Sequence, residues 1–180
     1  MNFSIENTNI NAVKIVNLFK VGDHRGYFEK PFHYSDFKNN GIDFHIKESF
    51  FSVSQKNVIR GMHFHTPPFE HDKLVFCTRG SILDVALDLR KNEPTYQQYV
   101  SQILSEDNAK AMFIPKGFAH GFLTLTEQAT AFYFISSEYV QEADGGVRYD
   151  SFGFDWNVDS PILSPRDLAF DIMEQFSSPF

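Results

Sequence analysis

The chain has one cysteine, Cys77, among 180 residues, so no disulfide can form within it and folding requires no oxidising compartment. Cys77 sits in the apolar run Leu74-Val75-Phe76-Cys77, where it reads as a buried strand residue rather than a nucleophile. No apolar run approaches the roughly 20 residues that cross a bilayer, and no secretory hydrophobic segment opens the sequence. The expected location is cytoplasmic, with no membrane partner. Basic charge is also scarce: 16 Lys and Arg stand against 23 Asp and Glu, a net charge of −7. Without a basic patch, nucleic acid is not an expected partner, although a small phosphorylated ligand needs only a few local cations. No repeat, low-complexity tract or Gly/Ser/Pro-rich linker divides the chain. Residues 1–180 therefore read as one domain, with 151–180 as a less periodic C-terminal extension that has room for short helices.

What the sequence has in plenty is phenylalanine, 21 residues against seven Tyr and one Trp. Aromatics favour strands and fill interiors, which points to an all-β fold with an aromatic core. Strand-like runs are expected over 13–21, 26–33, 48–55, 73–78, 81–89, 96–104, 110–114, 121–125 and 129–136. Turns are expected at Gly22-Asp23, Arg79-Gly80, Asn92-Glu93-Pro94 and Pro115-Lys116-Gly117. Ser35 is the expected N-cap of a short helical turn through Asn40 that Gly41 would end. Strands this short and closely spaced suggest a sandwich or barrel.

The chemistry-bearing side chains fall mainly in two segments, Asn57 to His65 and Ile114 to Phe122. His63 and His65 are two apart, so on one strand both point to the same face. With His120 and Glu70 they resemble the metal motifs of cupin barrels. The spacing from the second turn argues otherwise. Counted back from Gly80, the carboxylate position is held by Lys73, whose ammonium has no lone pair for a cation, while Glu70 reads as loop. No metal and no other cofactor is therefore expected. A pocket with a histidine and a lysine instead suits removal of a proton beside a ketone: the imidazole is the base and the ammonium meets the negative charge that develops on oxygen. A tyrosine such as Tyr133 is a usable acid for the opposite face.

Taken in order, Asp23 to Phe28, Asn57 to Phe64, Asp72 to Val75, Asp84 to Lys91, Leu104 to Asn108, Ile114 to Phe122, Gly145 to Asp150 and Pro161 to Asp167 resemble the dTDP-4-dehydrorhamnose 3,5-epimerase family, a metal-free branch of the cupins. The resemblance implies a double-stranded β-helix (jelly-roll) barrel with a few short peripheral helices, and an isomerase that inverts C3, C5 or both in a nucleotide-linked 4-keto-6-deoxy hexose for deoxysugar and surface polysaccharide synthesis. It implies His63 as base, Asp167 as the carboxylate orienting it, Tyr133 as acid and Lys73 at the enolate oxygen, with His120 nearby. Arg25 and Arg60 would bind the diphosphate, Tyr139 would stack on the base, and Arg166 would touch the ligand. Glu48 stands where a substrate-contacting Gln is usual, Lys30 where an acid is usual, and His65 where Gln is frequent. A homodimer with exchanged N-terminal strands is implied, so that some contacts cross between subunits. The alternatives are a metal-dependent cupin oxygenase or isomerase using His63, His65 and His120, a sugar-nucleotide-binding barrel without turnover, and a ketoisomerase on a similar substrate.

Overall fold

A computed structural model of the chain describes residues 3–180. Thirteen strands are formed among the described residues: β1 Ser4–Asn7, β2 Lys14–Asn17, β3 Phe19–Asp23, β4 Gly26–Lys30, β5 Glu48–Gln55, β6 Ile59–His65, β7 Lys73–Arg79, β8 Ser81–Asp88, β9 Tyr99–Ser105, β10 Lys110–Ile114, β11 Phe118–Thr124, β12 Gln128–Ile135 and β13 Asp144–Gly146. Two short helices, α1 Tyr34–Asn39 and α2 Pro165–Leu168, lie at the periphery. The strands form a six-stranded sheet ordered β1-β2-β10-β7-β12-β5, a five-stranded sheet ordered β13-β6-β11-β8-β9, and the separate β3–β4 hairpin. All pairings between these strands are antiparallel. The expected all-β jelly-roll is the fold observed.

Period-two alternation decides which side chains meet between the sheets. Val75 and Cys77 on β7 and Ala129, Ala131 and Tyr133 on β12 face Ile82 and Ala86 on β8 and Phe118 and Phe122 on β11 in one buried cluster. The intervening residues pack outward. Leu74 and Phe76 join Phe37 and Phe44 under α1, while Val85, Leu87, Met62 and Phe64 pack against Trp156, Phe176 and Phe180 of the C-terminal segment. The apolar side chains thus form three layers, with the barrel interior in the middle.

Several boundaries differ from the sequence expectation, each for a local reason. The run 13–21 is two strands, because Leu18 leaves β2 to bond Ala109 O through its N–H and the chain turns into the hairpin. Gly22 pairs with Tyr27 inside that hairpin, and the turn falls at His24-Arg25, where the Asp23 carboxylate accepts the Arg25 backbone N–H at 2.9 Å. His33, not Ser35, stands at the N-cap position of α1 and makes no side-chain capping bond; its ring meets Asp36 at 3.1 Å, and burial of Phe37 anchors the turn. Gly41 does end it, at φ +83. The Thr95–Gln98 turn delays β9 to Tyr99. β11 starts at Phe118, directly after Gly117 at φ +88, so His120 lies within the strand.

One close approach governs the region around the histidines. Gly61 on β6 has φ +145, and a Cβ there would lie 2.5 Å from Gly121 Cα on β11. At this point the β6–β11 register shifts, between His120 and Phe122. Gly61→Ala is therefore expected to destabilise the protein by about 2 kcal/mol or more through overpacking and backbone strain. Urea unfolding would show a lower midpoint; an unchanged midpoint would mean the strands have room to part.

Candidate active site

Inward-facing polar residues line a cavity of about 350 Å3 between the two sheets. The six-stranded sheet supplies Glu48, Phe50 and Ser52 from β5, Lys73 from β7 and Tyr133 from β12; the five-stranded sheet supplies Arg60, His63 and His65 from β6 and His120 from β11. Tyr139, Asp144 and Arg166 complete the wall. Pairing explains the convergence: His120 lies opposite His63, and Tyr133 lies between Phe50 and Val75.

His63 Nε2 is 2.9 Å from Asp167 Oδ1. Asp167 is buried in α2, its other oxygen accepts the Gly61 N–H at 3.1 Å, and its own N–H is capped by Ser164 Oγ at 3.0 Å. Burial alone would raise the Asp167 pKa, but these hydrogen bonds, His63 first, hold it below the usual carboxylate value. Since Nε2–H donates to Asp167, Nδ1 is the nitrogen left to accept a proton.

Lys73 is buried, and its ammonium donates to the His63 carbonyl at 3.2 Å. Burial pushes its pKa down to about 8, against the pull of the Asp144 and Asp84 charges. His120 Nε2 meets Asp84 at 2.7 Å in full burial, and burial lowers the His120 pKa. The Tyr133 ring stacks on Phe50, centroids 4.6 Å apart, and meets the His120 ring edge-on. Burial first, with the Asp84 charge, raises the Tyr133 pKa, so the phenol keeps its proton. Burial also lowers the pKa of His65, and that of His71 to about 3, which leaves both imidazoles neutral beside Lys73.

At the outer wall, the Tyr139 backbone N–H donates to Glu48 Oε2 at 2.7 Å and its hydroxyl to Asp144 at 3.2 Å. Arg166 pairs with Asp144 at 2.8 Å. The Arg60 Nε donates to Ser54 Oγ at 2.9 Å. Of the residues expected from sequence, nine are thus brought together: His63, Lys73, Tyr133, Arg60, His120, Tyr139, Glu48 and Arg166 around the cavity, and Asp167 behind His63. Arg25 is not. It sits at the exposed hairpin tip, bound to its own Asp23 at 2.5 Å. Glu70 lies in the loop before β7, near Lys116. Among the described residues, no three His, Cys, Asp or Glu side chains converge in a metal-ligating group; His63 and His120 each give Nε2 to a separate carboxylate.

Asp84, His71, Asp144 and Ser52 were not anticipated. Asp84 left a signal: it alternates with Leu83 and Val85 on β8, an acid at an inward position of a buried strand.

Residues 7–175 match the family described as dTDP-4-dehydrorhamnose 3,5-epimerase. The chain belongs to that family. The dTDP-4-dehydrorhamnose 3,5-epimerase of Escherichia coli K12 is 40% identical over 164 residues, 89% of this chain and 89% of the relative. That of Sinorhizobium fredii NGR234 is 38% identical over 168 residues, 91% and 86% of the two chains. Among solved structures, a Legionella pneumophila dTDP-6-deoxy-D-glucose-3,5-epimerase in complex with dTDP-4-keto-L-rhamnose superposes with a TM-score of 0.93 at 34% identity, covering 98% of this chain and 95% of that one. In this epimerase-family chain the cavity is therefore built on a shared framework, with His65 and His71 packed edge to face, centroids 4.6 Å apart, beside Lys73.

The buried Lys73 has a consequence for stability. The folded state releases its proton as pH rises through about 8, the unfolded chain only near 10.5. Burying the charge thus weakens the fold at neutral pH, and this penalty fades as pH rises between those values. Lys73→Met is expected to be more stable than wild type at pH 7 by on the order of 1–3 kcal/mol, raising the melting temperature by several degrees. The gap should narrow at pH 10. Calorimetric melting at both pH values checks this, and a variant less stable at pH 7 would contradict it.

Proposed function

We propose that the protein inverts C3, C5 or both in a dTDP-linked 4-keto-6-deoxy hexose, in the cytoplasm, by removing and returning a proton beside the C4 ketone. The observation that carries this reading is that a histidine held by a carboxylate and a protonated tyrosine enter one cavity from opposite sheets. Inversion needs a base on one face of the carbon and an acid on the other.

In this mechanism His63 Nδ1 takes the proton from the carbon next to the carbonyl, and Asp167 stabilises the imidazolium that forms. The electron pair moves into the carbonyl, and the Lys73 ammonium meets the negative charge on oxygen in a low-dielectric site, with His120 beside it. Tyr133 then gives its proton to the opposite face. Burial disfavours the tyrosinate left behind, and the Arg60 charge opposes that penalty. Loss of the proton on His63 to solvent and return of one from solvent to Tyr133 reset the two groups. Arg60 and Arg166 offer guanidinium groups to the diphosphate, and Tyr139, with its backbone fixed by Glu48, offers a face to the base.

His63→Ala is expected to lower exchange of the substrate's α-hydrogens in deuterated water by about 10²–10⁴-fold. Tyr133→Phe should keep exchange but lose inversion. NMR of the deuterated sugar reports both; full exchange in His63→Ala would remove the base assignment, and equal loss of both activities in Tyr133→Phe would remove the acid.

The homodimer belongs to the same proposal. Arg25 lies outside its own chain's cavity on a hairpin that exposes Val21, Tyr27 and Phe28, which fits a hairpin that docks on a second subunit and brings Arg25 to that subunit's diphosphate site. Mixing inactive His63→Ala with an Arg25→Ala variant tests it. A mixed dimer regains one intact site if Arg25 acts across the interface, so activity should rise above the sum of the separate variants. No rise on mixing exchanging dimers would place Arg25 elsewhere.

A further inference from the structure

The hydrogen bond that His63 donates to Asp167 fixes one point of the imidazole, and rotation of the ring about its broad terminal torsion stays open unless a second group blocks it. That second group is found two residues beyond the end of α2. The half-buried Phe170 ring meets the His63 ring edge to face, with centroids 5.8 Å apart and planes at 75°. Its own place is set from two sides. On β13, Gly146 is the register partner of His63, and a Cβ at that glycine would fall 2.3 Å from Phe170 Cε2 and 2.5 Å from its Cζ. The space that a side chain opposite the histidine would take is filled by this ring. From the other side, the Arg166 guanidinium lies over Phe170, 5.3 Å from its centroid, a distance suited to cation–π attraction, while Arg166 is also paired with Asp144 at 2.8 Å. One short segment thus places a carboxylate on the Nε2 of His63 and an aromatic edge on its ring.

We propose that Phe170 is a positioning residue for the reaction: seated over Gly146, it fixes the plane of the His63 imidazole so that Nδ1 faces the substrate carbon. The inference rests on the assignment of His63 as the base. It treats Gly146 as the seat of the ring, so the two residues act as one unit. Misplacing a reacting group by about 1 Å can cost on the order of a hundredfold in rate.

The test follows α-hydrogen exchange of a dTDP-linked 4-keto-6-deoxy hexose in deuterated water, with kcat normalised to sites counted by dTDP binding, so that loss of folded protein does not enter. Phe170→Ala is expected to lower kcat by about ten- to a hundredfold with KM within about threefold, and Phe170→Leu, which keeps the bulk, should recover most of it. Gly146→Ala should behave like Phe170→Ala, and the double variant should be no slower than Phe170→Ala alone, as for residues acting as one unit. Ring 15N spectra of His63 should show one tautomer bonded through Nε2 in the wild type and averaged signals in Phe170→Ala, a change that general loosening of the fold would not single out. Wild-type kcat in Phe170→Ala, additive losses in the double variant, or an unchanged His63 spectrum would overturn the proposal. If Phe170→Ala does not fold, Gly146→Ala against Phe170→Leu decides: a loss in the first alone supports it, and equal rates overturn it. His63→Ala run in parallel separates the two layers, since exchange surviving there removes the base assignment itself, whereas a dead His63→Ala with a fully active Phe170→Ala removes only the role of Phe170.

Discussion

The hydrogen bond between Asp167 and His63 joins residues 104 positions apart in the chain, and the arrangement of the site depends on it. An unassisted imidazole can present either nitrogen to the cavity; bonded through Nε2, it presents Nδ1. The carboxylate is itself held at three points, by the Gly61 N–H, by His63 and through the Ser164 cap of its helix. That helix is tied back to the barrel where Ile59 N–H meets Ile162 O and Ile162 N–H meets Asn57 O. The glycine that lets β6 and β11 approach closely is also the one whose N–H reaches Asp167. Strand packing and the placement of Asp167 therefore share Gly61, and neither can change alone.

The same cavity concentrates charge where the surrounding core is apolar. Lys73, Asp84, His120 and Asp167 are buried, and such groups weaken a fold unless they are paired. Three of the four have a partner within 3 Å. Lys73 is the exception, since its hydrogen-bond partner is a neutral carbonyl. The neighbouring imidazoles of His65 and His71 are kept uncharged by burial, so the ammonium has no adjacent cation to expel its proton. An ammonium that lacks a carboxylate of its own is free to serve a transient anion. On the role proposed for Lys73, stability is given up where activity needs it.

Much of the architecture was legible because it follows from alternation. The β5, β7, β8, β10 and β12 runs lie close to where their patterns place them, and the parity that put His63 and His65 on one face of β6 holds. Rejecting Glu70 in favour of Lys73 was also legible, since the count from Gly80 decides which residue starts β7. Asp167 was different. Nothing in the local pattern of Ser164-Pro165-Arg166-Asp167 says that it meets a histidine on β6; only the family resemblance suggested it, because contacts across 104 positions leave no periodic trace. Phe170 and Gly146 are hidden for the same reason. The hairpin turn and the start of α1 were misread because side chains took over: the Asp23 carboxylate turned the chain at His24-Arg25, and Phe37 burial with the His33–Asp36 contact replaced a serine cap. A diphosphate role for Arg25 came from the family resemblance alone, and one chain does not bring Arg25 to its own cavity.

Placing the proposed base and acid on different sheets also constrains the outcome of the proposed reaction. Each side is held by antiparallel ladders, through β6, β11 and β8 in one sheet and β5, β12 and β7 in the other. His63 and Tyr133 are therefore held on opposite sides of the cavity. If these are the one base and the one acid, as proposed, both carbons beside the ketone can be inverted only if the sugar ring changes conformation or turns between two steps, presenting each carbon to His63 in succession. On the proposed mechanism, the choice between inverting one carbon and inverting two falls to how the hexose moves in the cavity that Phe50, Ser52 and Ile135 help to line, since the proposed base and acid are the same in either case.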